Sequence, residues 1–216
     1  PSIQQREKAV DSCPLLHIIA ARETTAPPGF GSAQTLVDLV TGAISGAGTT
    51  TITAEAIDYP AAGGEGYAGS VTVGVAAVVR QTAEFAARCP RSAIIMHGYS
   101  QGAQIIDDAF CGGPDFPSLN SSVPLVTLAV ARNVLAIVLM GNPRHVPGLV
   151  FNAGNATAGG FAARPRDFRC PVFEDRIQAY CDDPDPFCSN STDDATHESY
   201  GQVYGKQALG FVISRL

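Results

Sequence analysis

The chain has 216 residues, 45% apolar and 16% charged, the balance of a folded globule and not of a disordered chain. Its formal charge is −6 and its only lysines are Lys8 and Lys206, so a nucleic-acid partner is disfavoured. The longest apolar run, Val134 to Met140, is strand-sized and far short of a membrane span.

In chain order, Leu15 to Ala21 reads as a first strand. Gln34 to Ile44 carries Leu36, Val37, Val40 and Ile44 at helical spacing. Thr50 to Tyr59 alternates and ends at Pro60, giving a second strand. Val71 to Ala87 repeats the helical pattern through Val71, Val75, Val78, Val79 and Phe85. Ala93 to Gly98 is a third strand. The helix after it, with Ile105, Ile106, Ala109 and Phe110 on one side, is stopped by Gly112-Gly113. Val134 to Met140 is the fourth strand, and Arg176 to Tyr180 a shorter fifth. Tyr200 to Leu216 is a last helix, with Val203, Leu209, Val212 and Ile213 expected to face inward.

Near-continuous aliphatic strands imply burial on both faces, as in a parallel sheet. Strands alternating with helices predict a three-layer α/β/α sandwich around a mostly parallel five-stranded sheet. No repeat or linker divides the chain, so residues 1–216 read as one domain. No lid is expected, because Tyr59 to Tyr67 is too short to insert an amphipathic helix.

The chemistry enters at Gly98-Tyr99-Ser100-Gln101-Gly102. A bare Gly-x-Ser-x-Gly is a common chance match. Between an aliphatic strand and a helix it is a sharp turn that exposes the serine hydroxyl beside a helix N-terminus. Ser100 is therefore the candidate nucleophile for acyl transfer. It needs a base. His17 lies within the first strand and reads as a core residue. His97 is still on the third strand. His145 follows the fourth strand on a loop and is only a minor candidate for the site's rim. His197 alone follows all the strands, as the order Ser…Asp…His requires. The acid should lie between them, and Cys181-Asp182-Asp183-Pro184-Asp185-Pro186-Phe187-Cys188 offers Asp182, Asp183 and Asp185. Spacing alone does not choose among the three, and the run also reads as a solvated loop or a weak calcium site.

Six cysteines without a Cys-x-x-Cys pair suit three disulfides and an oxidising compartment. No Cys/His group has zinc-ligand spacing, so no metal or other cofactor is expected. Sequons at Asn120, Asn155 and Asn190 are glycosylation candidates. The polar start at Pro1 suits a mature secreted form acting extracellularly.

These motifs together resemble the fungal acetylxylan esterases of the carbohydrate-esterase family shared with cutinases. The resemblance is carried by Ala21-Arg22-Glu23-Thr24-Thr25, Cys89-Pro90, Gly98 to Gly102, Cys111-Gly112-Gly113, Tyr180-Cys181-Asp182, Asp185-Pro186-Phe187-Cys188 and Ala195-Thr196-His197. It implies Asp185 as the catalytic acid and His197 as the base. It implies an oxyanion hole made by the backbone N–H groups of Gln101 and Thr24. It implies the pairs Cys13–Cys89, Cys111–Cys170 and Cys181–Cys188. The implied activity is hydrolysis of acetyl esters on xylan by a monomer, with cutin-type polyesters or short fatty acyl esters as the alternative substrates. An inactive secreted binding module is a further alternative, opposed by the intact Ser100, Asp185 and His197.

The chain departs from the acetylxylan type in places. Pro60 to Gly64 has no cysteine, Ser189 stands where those relatives carry another, and Asn152 to Ala158 lacks its partner. Gly141-Asn142-Pro143 replaces Gly-Asp-Pro. The polar stretch Ser189 to Thr196 favours a carbohydrate substrate. Val146 to Phe151 is a candidate apolar wall, or ordinary core at a strand end.

Overall fold

The computed structural model describes residues 13–45 and 51–216. Its elements, in chain order, are β1 (Leu16–Ala21), α1 (Gln34–Ser45), β2 (Ile52–Ala56), α2 (Tyr67–Arg88), β3 (Ala93–Tyr99), α3 (Gln101–Cys111), α4 (Leu128–Ala131), β4 (Val134–Met140), β5 (Asn152–Ala153), β6 (Ile177–Tyr180), α5 (Asp194–Glu198) and α6 (Tyr200–Ile213). The expected start of the second strand, Thr50, lies outside the described residues.

All strand pairs are parallel, in the order β2-β1-β3-β4-β6-β5. The sheet has six strands where the sequence predicts five. The extra one, β5, is two residues long and pairs only with β6. Two residues carry no periodicity, so the apolar pattern passes over them.

The period of two divides the core. Ile19, Ala21, Ile94, Met96, Ile137 and Leu139 face α2 and α3. Leu16, Ile18, Ala20, Ile95, Val138 and Met140 face α1 and α6. Helices therefore cover both faces of the sheet, as an all-parallel sheet requires. Every residue of α3 is buried.

The last helix bears out half of its expected inward face. Val212 is buried and Leu209 packs against the same cluster, but Val203 is 59% exposed and Ile213 48%, and Gly201, Gly205 and Ala208 are buried with Val212. The seam between α6 and α1 is made of small residues. A Cβ on Gly201 would lie 3.0 Å from Thr35, and one on Gly205 would lie 2.9 Å from Leu39. Close backbone approach at these glycines, together with the packing of Val212 and Leu209, sets which side of α6 turns inward.

The cysteines pair as Cys13–Cys89, Cys111–Cys170 and Cys181–Cys188. Asn120, Asn155 and Asn190 are all exposed. Among the described residues, no helix is long and apolar enough to cross a membrane.

Candidate active site

Ser100 stands between the carboxyl end of β3 and the first turn of α3. Its backbone sits at φ 53°, ψ −119°, a conformation that residues with a Cβ rarely adopt. Its N–H is tied to the Met140 carbonyl at 2.8 Å. The two glycines of the motif let strand and helix fold back on each other. A Cβ on Gly98 would meet the Ala103 backbone at 2.6 Å, and one on Gly102 would meet the Ala21 carbonyl oxygen at 2.2 Å.

Asp185 is fully buried in the loop closed by Cys181–Cys188. Its Oδ1 accepts from the N–H groups of Phe187 (2.6 Å) and Cys188 (2.9 Å). Its Oδ2 accepts from the Tyr200 hydroxyl at 2.7 Å and lies 2.7 Å from His197 Nδ1. Burial alone pushes this carboxyl up. The contacts from His197, Cys188 and Tyr200 outweigh burial and hold it below the usual range. Its neighbours are otherwise engaged. Asp182 accepts from the Tyr204 hydroxyl (2.8 Å) and the Asn155 N–H (3.1 Å), and Asp183 accepts from the Thr157 hydroxyl (2.8 Å). Of the three aspartates the sequence left open, Asp185 is the one the fold aims at His197.

His197 rides on α5, a one-turn helix whose N-cap Asp193 accepts from the Ala195 N–H at 3.2 Å. A helix of five residues is too short to leave a periodic mark in the sequence. The Tyr99 hydroxyl donates to the His197 carbonyl at 2.5 Å. That bond clasps the imidazole-bearing turn to the residue before Ser100. Gly141, at φ +60°, passes beneath the imidazole; a Cβ there would lie 2.6 Å from His197 Cε1. Tyr99, Tyr200 and Gly141 were not identified from sequence. Of these, Gly141 leaves a sequence signal as the glycine that follows the aliphatic run of β4.

Thr24 lines the same cleft as Ser100 and His197. Beside it, Thr25 at φ 63° donates its N–H to the Ala61 carbonyl at 2.7 Å. The Gln101 side chain donates to the Ala62 carbonyl (3.0 Å) and accepts from the Ser70 hydroxyl (2.8 Å). The 24–25 turn, the 61–63 loop and the start of α3 are thus laced together.

The other histidines lie elsewhere. His17 is stacked on Phe85 at 3.8 Å, with Nδ1 2.7 Å from the Thr53 hydroxyl. His97 is buried on β3, with Nδ1 3.0 Å from the Val138 carbonyl. His145 is buried and does not line the cleft, so the minor rim alternative falls away. Val146 to Phe151 also misses the cleft. Val146 and Leu149 are core, while Val150 is 80% exposed. The segment leads directly into β5, and Val146 and Leu149 pack into the core and not against the cleft.

The cleft measures about 990 Å³. Ser100 and His197 form its floor, each 8% exposed. Its lining is mixed: Glu23, Ser32 and Glu198 are polar, and Tyr67, Tyr99, Phe161 and Phe187 are aromatic. Between Tyr59 and Tyr67 there is only a 3₁₀ turn, Gly64–Gly66, and no covering helix.

A parallel sheet covered on both faces, with a strained serine at the carboxyl end of a central strand, is the architecture of the α/β hydrolases. Within that class, the chain belongs to the cutinase family, whose model, described as Cutinase, matches residues 12–216. It is 48% identical to Cutinase 11 of Verticillium dahliae over 95% of this chain and 70% of that protein. It is 45% identical to Acetylxylan esterase 2 of Talaromyces purpureogenus over 95% of this chain and 88% of that protein. The catalytic core domain of acetyl xylan esterase from Trichoderma reesei superposes with TM-score 0.90 at 42% identity, covering 95% of this chain and all of that one. These relatives make the chain a carboxylic ester hydrolase.

Proposed function

We infer that the chain acts as one serine-esterase domain that removes acetyl groups from plant cell-wall xylan. The observation that carries the reading is the 2.7 Å contact between Asp185 and His197 Nδ1, in a cleft whose floor His197 shares with the strained Ser100. Ser100 Oγ attacks the ester carbonyl as His197 Nε2 takes its proton. Asp185 holds the imidazole tautomer and stabilises the cation that forms. The N–H groups of Gln101 and Thr24 receive the oxyanion; losing one such donor costs about 3 kcal/mol. His197 then protonates the leaving alcohol, and water repeats the cycle on the acyl-enzyme. No step calls for a metal.

Two features support a short acyl group on a sugar. The Phe187 ring packs against the His197 imidazole at 4.5 Å between centroids, which narrows the floor of the cleft. Glu23, Ser32 and Glu198 give the cleft hydrogen-bonding character suited to hydroxyl-rich polymer. The cutin-type reading is favoured by one observation, the aromatic part of the lining, where Phe161 is 54% exposed. The three disulfides support an oxidising, extracellular setting, and a monomer suffices for the reaction.

The test compares 4-nitrophenyl acetate with the octanoate, and acetylated xylan with a cutin-like polyester. We expect acetate and xylan to be preferred by at least about ten-fold in kcat/KM. Preference for octanoate and polyester would assign the alternative.

A further inference from the structure

The Tyr67–Phe161 pair in the lining of the cleft is built on an unusual foundation. Phe161 meets Tyr67 edge-on, 5.6 Å between ring centroids. Phe161 is mostly exposed, so its own packing cannot hold it in place. Its neighbours are held by two buried arginines. Arg144 donates to the Ala162 carbonyl (2.6 Å) and the Pro114 carbonyl (2.8 Å). It also pairs with Asp115 (3.2 Å) and Asp108 (3.1 Å). Arg164 donates to Asp107 Oδ1 from Nε (3.1 Å) and Nη2 (2.8 Å), and Nη2 also reaches Asp108 at 3.3 Å.

Asp107 and Asp108 lie on α3, the helix that begins beside Ser100. The lacing continues to the other ring. Gln104, also on α3, donates to Asp115 at 2.6 Å and accepts from the Tyr67 hydroxyl at 2.6 Å. All five charged side chains are at most 6% exposed.

Stability does not explain such a network, because an apolar replacement of similar volume is often as stable or more so. What the network supplies is a fixed distance between two rings and the helix that carries the reacting turn. The acyl side of an acetate is two carbons, too small to reach most of a cleft of about 990 Å³. The rings are left to the other half of the ester.

We propose that Arg144 and Arg164, through Asp107, Asp108 and Asp115, are positioning residues that lock the Tyr67–Phe161 wall relative to Ser100, and that this wall carries the sugar of the acetylated substrate. The proposal rests on the acetylated-carbohydrate reading. Apolar CH faces of a pyranose lie on aromatic rings, and they do so selectively only if both rings are held.

The test uses four variants: Phe161→Ala, Tyr67→Phe, Arg164→Lys and the double variant Phe161→Ala/Arg164→Lys. Arg164→Lys keeps the buried charge but loses the planar fork that grips Asp107 twice. Active sites are counted by fluorophosphonate labelling. The readout is kcat/KM on an acetylated xylo-oligosaccharide divided by kcat/KM on 4-nitrophenyl acetate.

Phe161→Ala should lower that ratio about ten-fold, through KM on the sugar substrate. Arg164→Lys and Tyr67→Phe should each lower it several-fold, and the double variant should fall no further than Phe161→Ala alone. An unchanged ratio in Phe161→Ala overturns the wall. An unchanged ratio in Arg164→Lys with only a lower Tm, or losses that multiply in the double variant, overturns the positioning role. If Arg164→Lys does not fold, Tyr67→Phe decides from the other end of the network, and an unchanged ratio there overturns it. Failure of wild-type protein to deacetylate the oligosaccharide is a different result, which rejects the substrate reading before any variant is compared.

Discussion

At Ser100 the backbone is held where an L-residue is strained, by a bond to Met140 and by two glycines that cannot accept a Cβ. Such a conformation costs on the order of 1–3 kcal/mol and persists because its surroundings over-determine it. Ser100→Ala should cut turnover by roughly 10⁶-fold with little change in urea stability, because alanine carries the same Cβ. Ser100→Gly should be equally inactive yet more stable by about 1 kcal/mol, as strain is released. Equal urea midpoints for the two variants would show that the turn stores nothing. The strained turn at Ser100 was legible because its two flanking glycines mark the backbone demand within five residues. Asp185 was not separable from Asp182 and Asp183 by residue type. What distinguishes them is which backbone and hydroxyl donors each carboxylate meets, and those donors come from Phe187, Cys188, Tyr200, Tyr204, Asn155 and Thr157.

Among the elements, the loop between β6 and α5 has the most functional weight per residue. Cys181–Cys188 closes it, and Asp185 hangs within it. For a loop of this length the entropy model gives about 2.5 kcal/mol of stabilisation. Replacing both cysteines with serine should lower urea stability by about that amount. It should also lower kcat more than it raises KM, since the carboxylate it steadies acts on the imidazole and not on bound substrate. A stability loss with kcat unchanged would show that the four hydrogen bonds to Asp185 suffice without the bridge. Long periodic elements were read well from sequence: β4 was located to the residue, and α1 and α3 nearly so. The failures were of two kinds. β5 and α5 are shorter than any periodicity. Of the four residues expected on the inward face of α6, Val212 and Leu209 pack inward, but Val203 and Ile213 do not, because bulk alone does not mark the glycines, Gly201 and Gly205, that approach α1.

Across the whole molecule, buried titratable groups give the fold a pH dependence that is not that of its site. Burial pushes the imidazoles of His97 and His145 down to about 4. An unfolded histidine titrates near 6.5. As pH falls from about 6.5 to about 4, the unfolded chain takes up protons that the folded chain refuses, so stability is lost on acidification. Asp108 has the opposite sign. Burial raises its carboxyl well above the usual range, against the pull of Arg144. Its contribution is full below the unfolded value and fades as pH rises through the folded one. The lowered Asp185 loses its contribution only as pH drops below the ordinary carboxylate range, outside the histidine window. Urea unfolding of wild type and His97→Gln should therefore differ in slope by about 1.4 kcal/mol per pH unit between pH 6 and 4.5. Parallel curves would show that His97 charges freely in the fold.

The chain has no tryptophan and six tyrosines. Tyr67 and Tyr99 line the cleft, Tyr200 donates to Asp185, and Tyr204 and Tyr180 stack in line behind Tyr200. Ultraviolet emission from this protein is therefore dominated by phenols within or just behind the reacting centre. The molecule carries its own optical gauge, one that can register a product entering or the last helix loosening without any attached dye.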